Sequence, residues 1–433
     1  MALVPEASAG IGSQRARTQQ GGICVKRSRW FSVTTAAIAL TLVAAACGGG
    51  EESNGGGGGG GGDQLEKIPV TIYFQGALSG PASYLITPSF QAAQLRFDEL
   101  NADANFPAEI TFEEGDTQGS PDQAPAVVEQ ATTDPETVAI LGPGFSGESA
   151  ASGDTYEEAK IPFVTASATA TSLGEEGWEY WFRACGNDGG QGGFAGDYIA
   201  KVIKPASLFV AHDKSEYGQP LAETVRDTTD AAGVEQVGFE GIESGADDFS
   251  SLISSIESSG AEALFFGGYD FDFGKIVKQA RDAGLDIPLM SGDGSVSSTL
   301  VDLAGSSVKD VFLIAPTNLG GEFIQKYNKE VSGEASSVPV YAGEGYDVAT
   351  MLGEGIQQAR EDGAEDPEDI RAGIKKYLDS LVGGGSFDGV AKTYSWDDKH
   401  ELTADDPAAL FFLYELSGGE LKPLGNAAEA TGG

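Results

Sequence analysis

Residues 142–147 read Gly-Pro-Gly-Phe-Ser-Gly, directly after an apolar β-rich run at 138–141 and directly before a helical pattern over 148–159. Glycines so spaced at a strand-to-helix corner can cradle a dinucleotide pyrophosphate, but that chemistry needs an acidic residue about 20 positions on to hold the ribose. The next run ends in Thr165-Ala166-Ser167-Ala168-Thr169 without an acid, and Glu148 would set a negative charge against the phosphates. What remains is a helix N-terminus whose free N–H groups, with the Ser146 hydroxyl, suit a single carboxylate. Ser167 and Thr169 add two hydroxyls at the end of the adjacent strand, where open α/β sheets bind ligands. On spacing alone, ordinary helix capping accounts for these hydroxyls equally well.

The second half of the chain has three more corners: His212 through Tyr217 to Gly218, Gly267-Gly268-Tyr269-Asp270, and Gly292-Asp293-Gly294. Each follows a strand-like run, so Tyr217, Tyr269 and Asp293 are expected on one rim. Asp293 is the natural counter-charge for an ammonium, and the tyrosines supply flat apolar walls with polar tips. Taken singly, each would read as a packing or turn residue. Covalent chemistry has few instruments here. The only imidazoles are His212 and His400, and no Ser or Cys is placed to make His212 a triad member. The three cysteines, Cys24, Cys47 and Cys185, form no CxxC pair or Cys/His cluster, so neither a metal nor a cofactor is expected.

The elements that must position these residues alternate. Strand candidates at 70–77, 109–113, 138–141, 162–165, 207–211, 263–266, 288–290 and 311–315 are separated by helical patterns such as 90–100 and 275–283, the latter closed by Gly284. This is the signature of parallel sheets covered by helices. A Gly-rich patch at 185–193 reads as a loop that divides the series into two comparable halves. After 383–385 the pattern changes to isolated strands at 393–396 and 410–416, which could close one edge. With 433 residues, 40% of them hydrophobic, the chain is too long for one core, and two domains are expected. The balance of 26 Lys+Arg against 66 Asp+Glu, a net charge of -40, repels phosphate backbones and excludes nucleic acid as a partner.

Residues 1–46 read as a signal peptide: Lys26, Arg27 and Arg29 precede an apolar run that ends in Ala44-Ala45-Ala46 before Cys47. The run is shorter than the roughly 20 residues that cross a bilayer. A translation start near Val25 would leave a compact signal. Cys47 resembles the lipidated cysteine of a bacterial lipoprotein, although Ala44 stands where such signals more often carry Leu. Residues 47–67 then form a Gly-rich tether with nothing to bury.

Gly76 to Pro81, Gly142-Pro143, Ile161 to Thr169, Phe182 to Cys185, His212 to Gly218, Gly267 to Tyr269, Gln279 to Leu285, and Tyr341 through Tyr346 to Ala349 occur in order. As a set they resemble the leucine/isoleucine/valine-binding family of periplasmic-type solute-binding proteins, from residue 68 to about 424. The resemblance implies an α/β fold of two Rossmann-like lobes with parallel-type sheets, joined by a three-strand hinge and closing on a small ligand. It puts 68–187 plus 317–382 in lobe one, 188–316 plus 383–424 in lobe two, and 425–433 in a disordered tail. The family's carboxylate site maps onto Ser146, Ser167, Ala168 and Thr169, and its ammonium-binding acid onto Asp293, with Tyr217 and Tyr269 beside it. Tyr84 matches an aromatic bordering the ligand side chain. The implied function is extracytoplasmic capture of an amino acid, without catalysis, for the permease subunits of an ABC importer, the receptor held to the membrane by its lipid. Two departures stand out: the family's best-known members carry Glu where this chain has Asp293, and a lobe-one disulfide is missing because Cys185 is alone. Amides or aromatic acids are alternative ligands, and a ligand-sensing receptor domain is the alternative role.

Overall fold

The computed structural model describes residues 67–305, 308–331 and 338–432. The expected signal peptide, Cys47 and all but the last residue of the expected tether lie outside the described residues. Among the described residues no helix is long and apolar enough to cross a membrane.

Two parallel sheets organise the chain. The first contains β1 (Ile68–Gly76), β2 (Ala108–Asp116), β3 (Thr137–Leu141), β4 (Phe163–Thr165) and β5 (Trp181–Arg183) in the order β2-β1-β3-β4-β5. The second is built on β6 (Ser207–His212), β7 (Glu235–Gly241), β8 (Ala263–Gly267), β9 (Leu289–Ser291) and β10 (Val311–Ala315), in the order β10-β9-β8-β6-β7. β3 and β8 are buried along their whole length, which is why they read as unbroken apolar runs without alternation. Strand order reverses between β1 and β3 in the first sheet and between β6 and β8 in the second. Those reversals open a crevice at the strands' carboxyl ends. The strand-to-helix corners after β1, β3, β6 and β8 carry Tyr84, Ser146, Tyr217 and Tyr269.

Helices cover the sheets with the faces their periodicity demands. The helix Asp270–Asp282 buries Phe273, Ile276, Val277 and Ala280 at spacings of three and four, and Gly284 closes it at φ +82°. Helices Ala342–Glu361 and Pro367–Asp379 return to the first sheet: Gly353 packs under Leu100, Arg96 bonds Thr350, and Arg371 reaches the Thr137 carbonyl at 2.7 Å. The chain therefore passes between the two sheets after β5, after β10 and again before residue 412.

Several expectations need correction. Residues 188–198 are a helix, although the glycines at 186–193 read as a loop in the sequence. A Cβ on Gly192 or Gly196 would approach Thr224 or Thr228 to 2.7 and 2.6 Å, so glycine serves here to let two helices touch. Packing overrides its poor helix propensity. Of the two late strands, β13 (Phe412–Ser417) does extend the second sheet, antiparallel to β10, though a further strand forms the edge. Thr393–Tyr394, in contrast, is β12, paired only with β11 (Phe387–Asp388) in a separate ribbon. Residues 425–432 are not a disordered tail: β14 (Glu420–Asn426) pairs with β13, and the helix Ala427–Thr431 follows through an Asn426/Glu429 capping box, with Ala427 fully buried. β7 escaped the sequence reading because it is a polar edge strand, and the short β5 escaped it as well.

Candidate functional site

The first-sheet half is made by two loops that bind each other. Gly142 adopts φ +131°, and a Cβ there would stand 2.5 Å from the Gln75 carbonyl oxygen. Only glycine lets the exit of β3 press against the end of β1. Loop 142–146 is then tied to loop 166–170: Ser167 Oγ donates to the Gly144 carbonyl at 2.8 Å, and the Ala170 N–H donates to Ser146 Oγ at 3.1 Å. Ala168 donates its N–H to Thr165 Oγ1 at 2.9 Å. Ser146 and Ser167 thus shape the loops, while the buried Thr169 Oγ1 has no hydrogen-bond partner among the described residues. Glu148, in the first turn of helix Ser146–Glu158, is buried and accepts the Thr117 hydroxyl. Burial pushes its carboxyl up to about 8.

The second-sheet half centres on Asp293, buried at 2% exposure. Its Oδ1 accepts the Tyr217 hydroxyl and the Gln191 carboxamide, both at 2.8 Å, and its Oδ2 accepts the Tyr341 hydroxyl at 2.6 Å. The flanking glycines make room for this collar, since a Cβ on Gly292 would lie 2.6 Å from the Tyr217 hydroxyl oxygen. Tyr217 and Tyr269 pack with ring centroids 5.3 Å apart. Gln191 also donates to Asp188 Oδ1 at 2.8 Å, so one carboxamide bridges two buried carboxylates. Asp188 Oδ2 has no hydrogen-bond partner among the described residues. Burial, with Asp293 alongside, raises the Asp188 carboxyl to about 8. Burial likewise raises Asp293, against the pull of its hydrogen bonds to Tyr341, Gln191 and Tyr217.

The two halves meet. Tyr84, at the start of helix Ser83–Ala102, donates its hydroxyl to the Gly294 carbonyl and accepts the Asp270 N–H at 3.4 Å. Phe145 meets Tyr269 edge-on at 5.9 Å, and the Asp188 N–H bonds the Thr169 carbonyl at 2.8 Å. Every residue expected at the site, Tyr84, Ser146, Ser167, Ala168, Thr169, Tyr217, Tyr269 and Asp293, therefore lies in one contiguous cluster. His212 stands apart at the end of β6, against Phe239. Cys185 is buried and unpaired.

Gln191, Asp188 and Tyr341 were not anticipated. The first two are hidden in the glycine patch that reads as a loop; recognising Asp188 and Gln191 at helical i, i+3 spacing would have been the signal. Tyr341 is held at φ +56°, just before a helix, a conformation no sequence pattern announces. Among the described residues, no group of His, Cys, Asp and Glu could hold a metal ion. The cluster thus sets the loops and a helix N-terminus of the first sheet beside the buried carboxylate of Asp293.

Residues 69–410 match a family model described as periplasmic binding protein. A curated amino acid binding protein of Pseudomonas aeruginosa is 36% identical over 217 residues, 50% of this chain and 58% of that protein. The chain thus spans less than two thirds of that relative's length. A Leu/Ile/Val/Thr-binding protein of Salmonella typhimurium is 30% identical over 332 residues, 76% of this chain and 87% of its own. Among solved structures, a branched-chain amino acid transporter substrate binding protein from Streptococcus pneumoniae, in complex with isoleucine, superimposes with a TM-score of 0.68 at 22% identity. The match covers 82% of this chain and 98% of that one, and shows likeness of fold.

Proposed function

The chain belongs to the periplasmic binding protein family, and from that premise we propose that it is the extracytoplasmic receptor of an ABC importer for a branched-chain or similar amino acid. The observation that carries this reading is the collar of Tyr217, Gln191 and Tyr341 around the buried carboxylate of Asp293, set beside the loops of Ser146 and Thr169. A zwitterion bridges such a pair of half-sites, its carboxylate at the helix N-terminus and its ammonium at Asp293. The bound amino acids in the names of the Salmonella and Streptococcus proteins support the same ligand class. In this reading the sheets with their helices are two lobes, the three chain passages between them are the hinge, and release rather than reaction ends the cycle. Cys47 is its lipid attachment point, which keeps the receptor beside its permease.

A thermal-shift screen of the chain from residue 48 onward tests this. Leu, Ile or Val at 100 times its dissociation constant should add about 2.7 kcal/mol of stability. A shift only with amides or aromatic acids would move the substrate class, and no shift with any of them would remove the receptor reading.

Tyr84 closes the crevice from the first-sheet side. Tyr84→Phe keeps the ring and deletes the bond to Gly294, so ligand affinity should fall by roughly three- to tenfold through a faster dissociation rate. Stopped-flow tryptophan fluorescence would show it; an unchanged dissociation rate would mean that the hydroxyl takes no part in closure.

A further inference from the structure

Arg183 and Glu401 form a buried ion pair at the join between the sheets, with side-chain exposures of 0% and 14%. Arg183, the last residue of β5, turns its guanidinium under the ligand loop. Nη1 donates to the Ala168 carbonyl at 2.7 Å and Nη2 to the Ala170 carbonyl at 2.9 Å. Nη2 also donates to Glu401 Oε1 at 2.6 Å. The second oxygen of Glu401 accepts from Asn187 Nδ2 at 3.1 Å. Asn187 is the N-cap of the helix Asp188–Tyr198, accepting the Gly190 N–H at 3.1 Å. One turn into that helix stands Gln191, which holds Asp293.

Glu401 lies on the third passage between the sheets, and that segment is itself fixed to β5. The Trp396 indole donates to the Arg183 carbonyl at 2.6 Å, and His400 stacks on Phe182 with centroids 4.1 Å apart. Room for the carboxylate is made by Gly174, where a Cβ would stand 2.2 Å from Glu401 Oε1. A carboxylate taken this far out of water, facing one cation and one carboxamide, is costly unless both its oxygens are satisfied.

We propose that Glu401 is a positioning residue of the ligand site, joining the carbonyl side of loop 167–170 to the start of helix Asp188–Tyr198 so that the anion-facing loop and Asp293 come to a defined separation when the lobes are closed. The inference rests on the zwitterion reading above and adds to it a residue that touches no ligand. Both charged ends of the ligand can be met together only if the closed lobes stop at the spacing the ligand requires. Arg183 sets one end through the loop carbonyls. Asn187 sets the other through the helix that carries Gln191.

The test is a charge exchange. Asn187→Asp keeps the cap, since an aspartate accepts the Gly190 N–H, but sets a carboxylate against Glu401. Glu401→Gln removes the charge and turns an N–H toward one of its two donors. Each single variant should bind L-leucine about tenfold more weakly by calorimetry while its circular dichroism stays that of wild type. Combined, the two substitutions reverse the direction of the hydrogen bond, the new carboxamide at position 401 donating and the new carboxylate at position 187 accepting. The double variant should therefore recover affinity to within about threefold of wild type. A role in stability alone would lower the melting temperature of both single variants and leave the affinity of the folded protein unchanged, and that result overturns the proposal. So does a double variant no better than the sum of the singles. Should Glu401→Gln fail to fold, Asn187→Asp alone decides, because it leaves the Arg183–Glu401 pair in place. Wild-type protein that binds no amino acid would remove the amino-acid reading, and with it the inference; one that binds another amino acid instead is tested with that ligand in place of L-leucine.

Discussion

Asp293→Asn should yield a folded protein whose affinity for an amino acid has dropped by about 100-fold or more. The substitution is isosteric, and the collar survives it. Asparagine Oδ1 still accepts from Tyr217 and Gln191, and the Tyr341 hydroxyl, which donates to Oδ2 in the native site, can accept from the new N–H₂ instead. Only the negative charge is lost. A buried ammonium without its counter-charge costs about 2–5 kcal/mol, and each 1.4 kcal/mol is tenfold in affinity. Calorimetric titration with Leu, Ile and Val reads the result directly. Dissociation constants within about threefold of wild type would take Asp293 out of the ammonium site. Asp293→Ala should be at least as damaging to binding and would also leave Tyr341 without its partner.

The ligand-free protein should lose stability as the pH rises from about 4 to about 8. Burial raises the carboxyls of Glu148 and Asp188 to about 8, and those of Asp213, Asp270 and Asp347 to about 6. A carboxyl whose folded pKa lies above its ordinary value near 4 holds its proton more tightly in the native state. Its contribution is fully present below that ordinary value and is lost as the pH climbs through the folded one. Each unit of upward shift is worth about 1.4 kcal/mol, so the loss should reach several kcal/mol by pH 8.5. Urea melts across this range would show a falling free energy of unfolding, and Glu148→Gln should flatten the upper part of the curve. A profile that is level or rising between pH 6 and 8.5 would contradict the assignment.

What could be read from the sequence were features whose cause is local. β3 and β8 are apolar because both their faces are covered, and the corners that carry Ser146, Tyr217, Tyr269 and Asp293 follow such strands directly. Position at the carboxyl end of a buried strand was therefore enough to gather them on one crevice. The features that escaped have distant causes. The glycines of helix Asp188–Tyr198 answer to Thr224 and Thr228 on another helix and to Phe411 near the other end of the chain. A reading by propensity turned them into a loop and concealed Asp188 and Gln191. Ser167 offered a hydroxyl to a ligand on paper, yet donates it to Gly144, a pairing 23 residues away that spacing alone does not reveal. Tyr341 and Glu401 belong to the passages between sheets and Arg183 ends the strand before the first passage, and the Arg183–Glu401 partners lie 218 residues apart.

The order in which the chain builds its second sheet bears on how the protein must be made. β10 is laid down by residue 315, but the strand that covers its edge begins only at residue 412. Until then a growing or threading chain carries an unpaired backbone row on an apolar strand, a template for pairing with the wrong neighbour. The first sheet waits in the same way for helices Ala342–Glu361 and Pro367–Asp379. Neither half can be completed from one continuous stretch, so maturation is tied to delivery of almost the entire polypeptide. Premature compaction of either half is thereby discouraged while the remainder is still in transit.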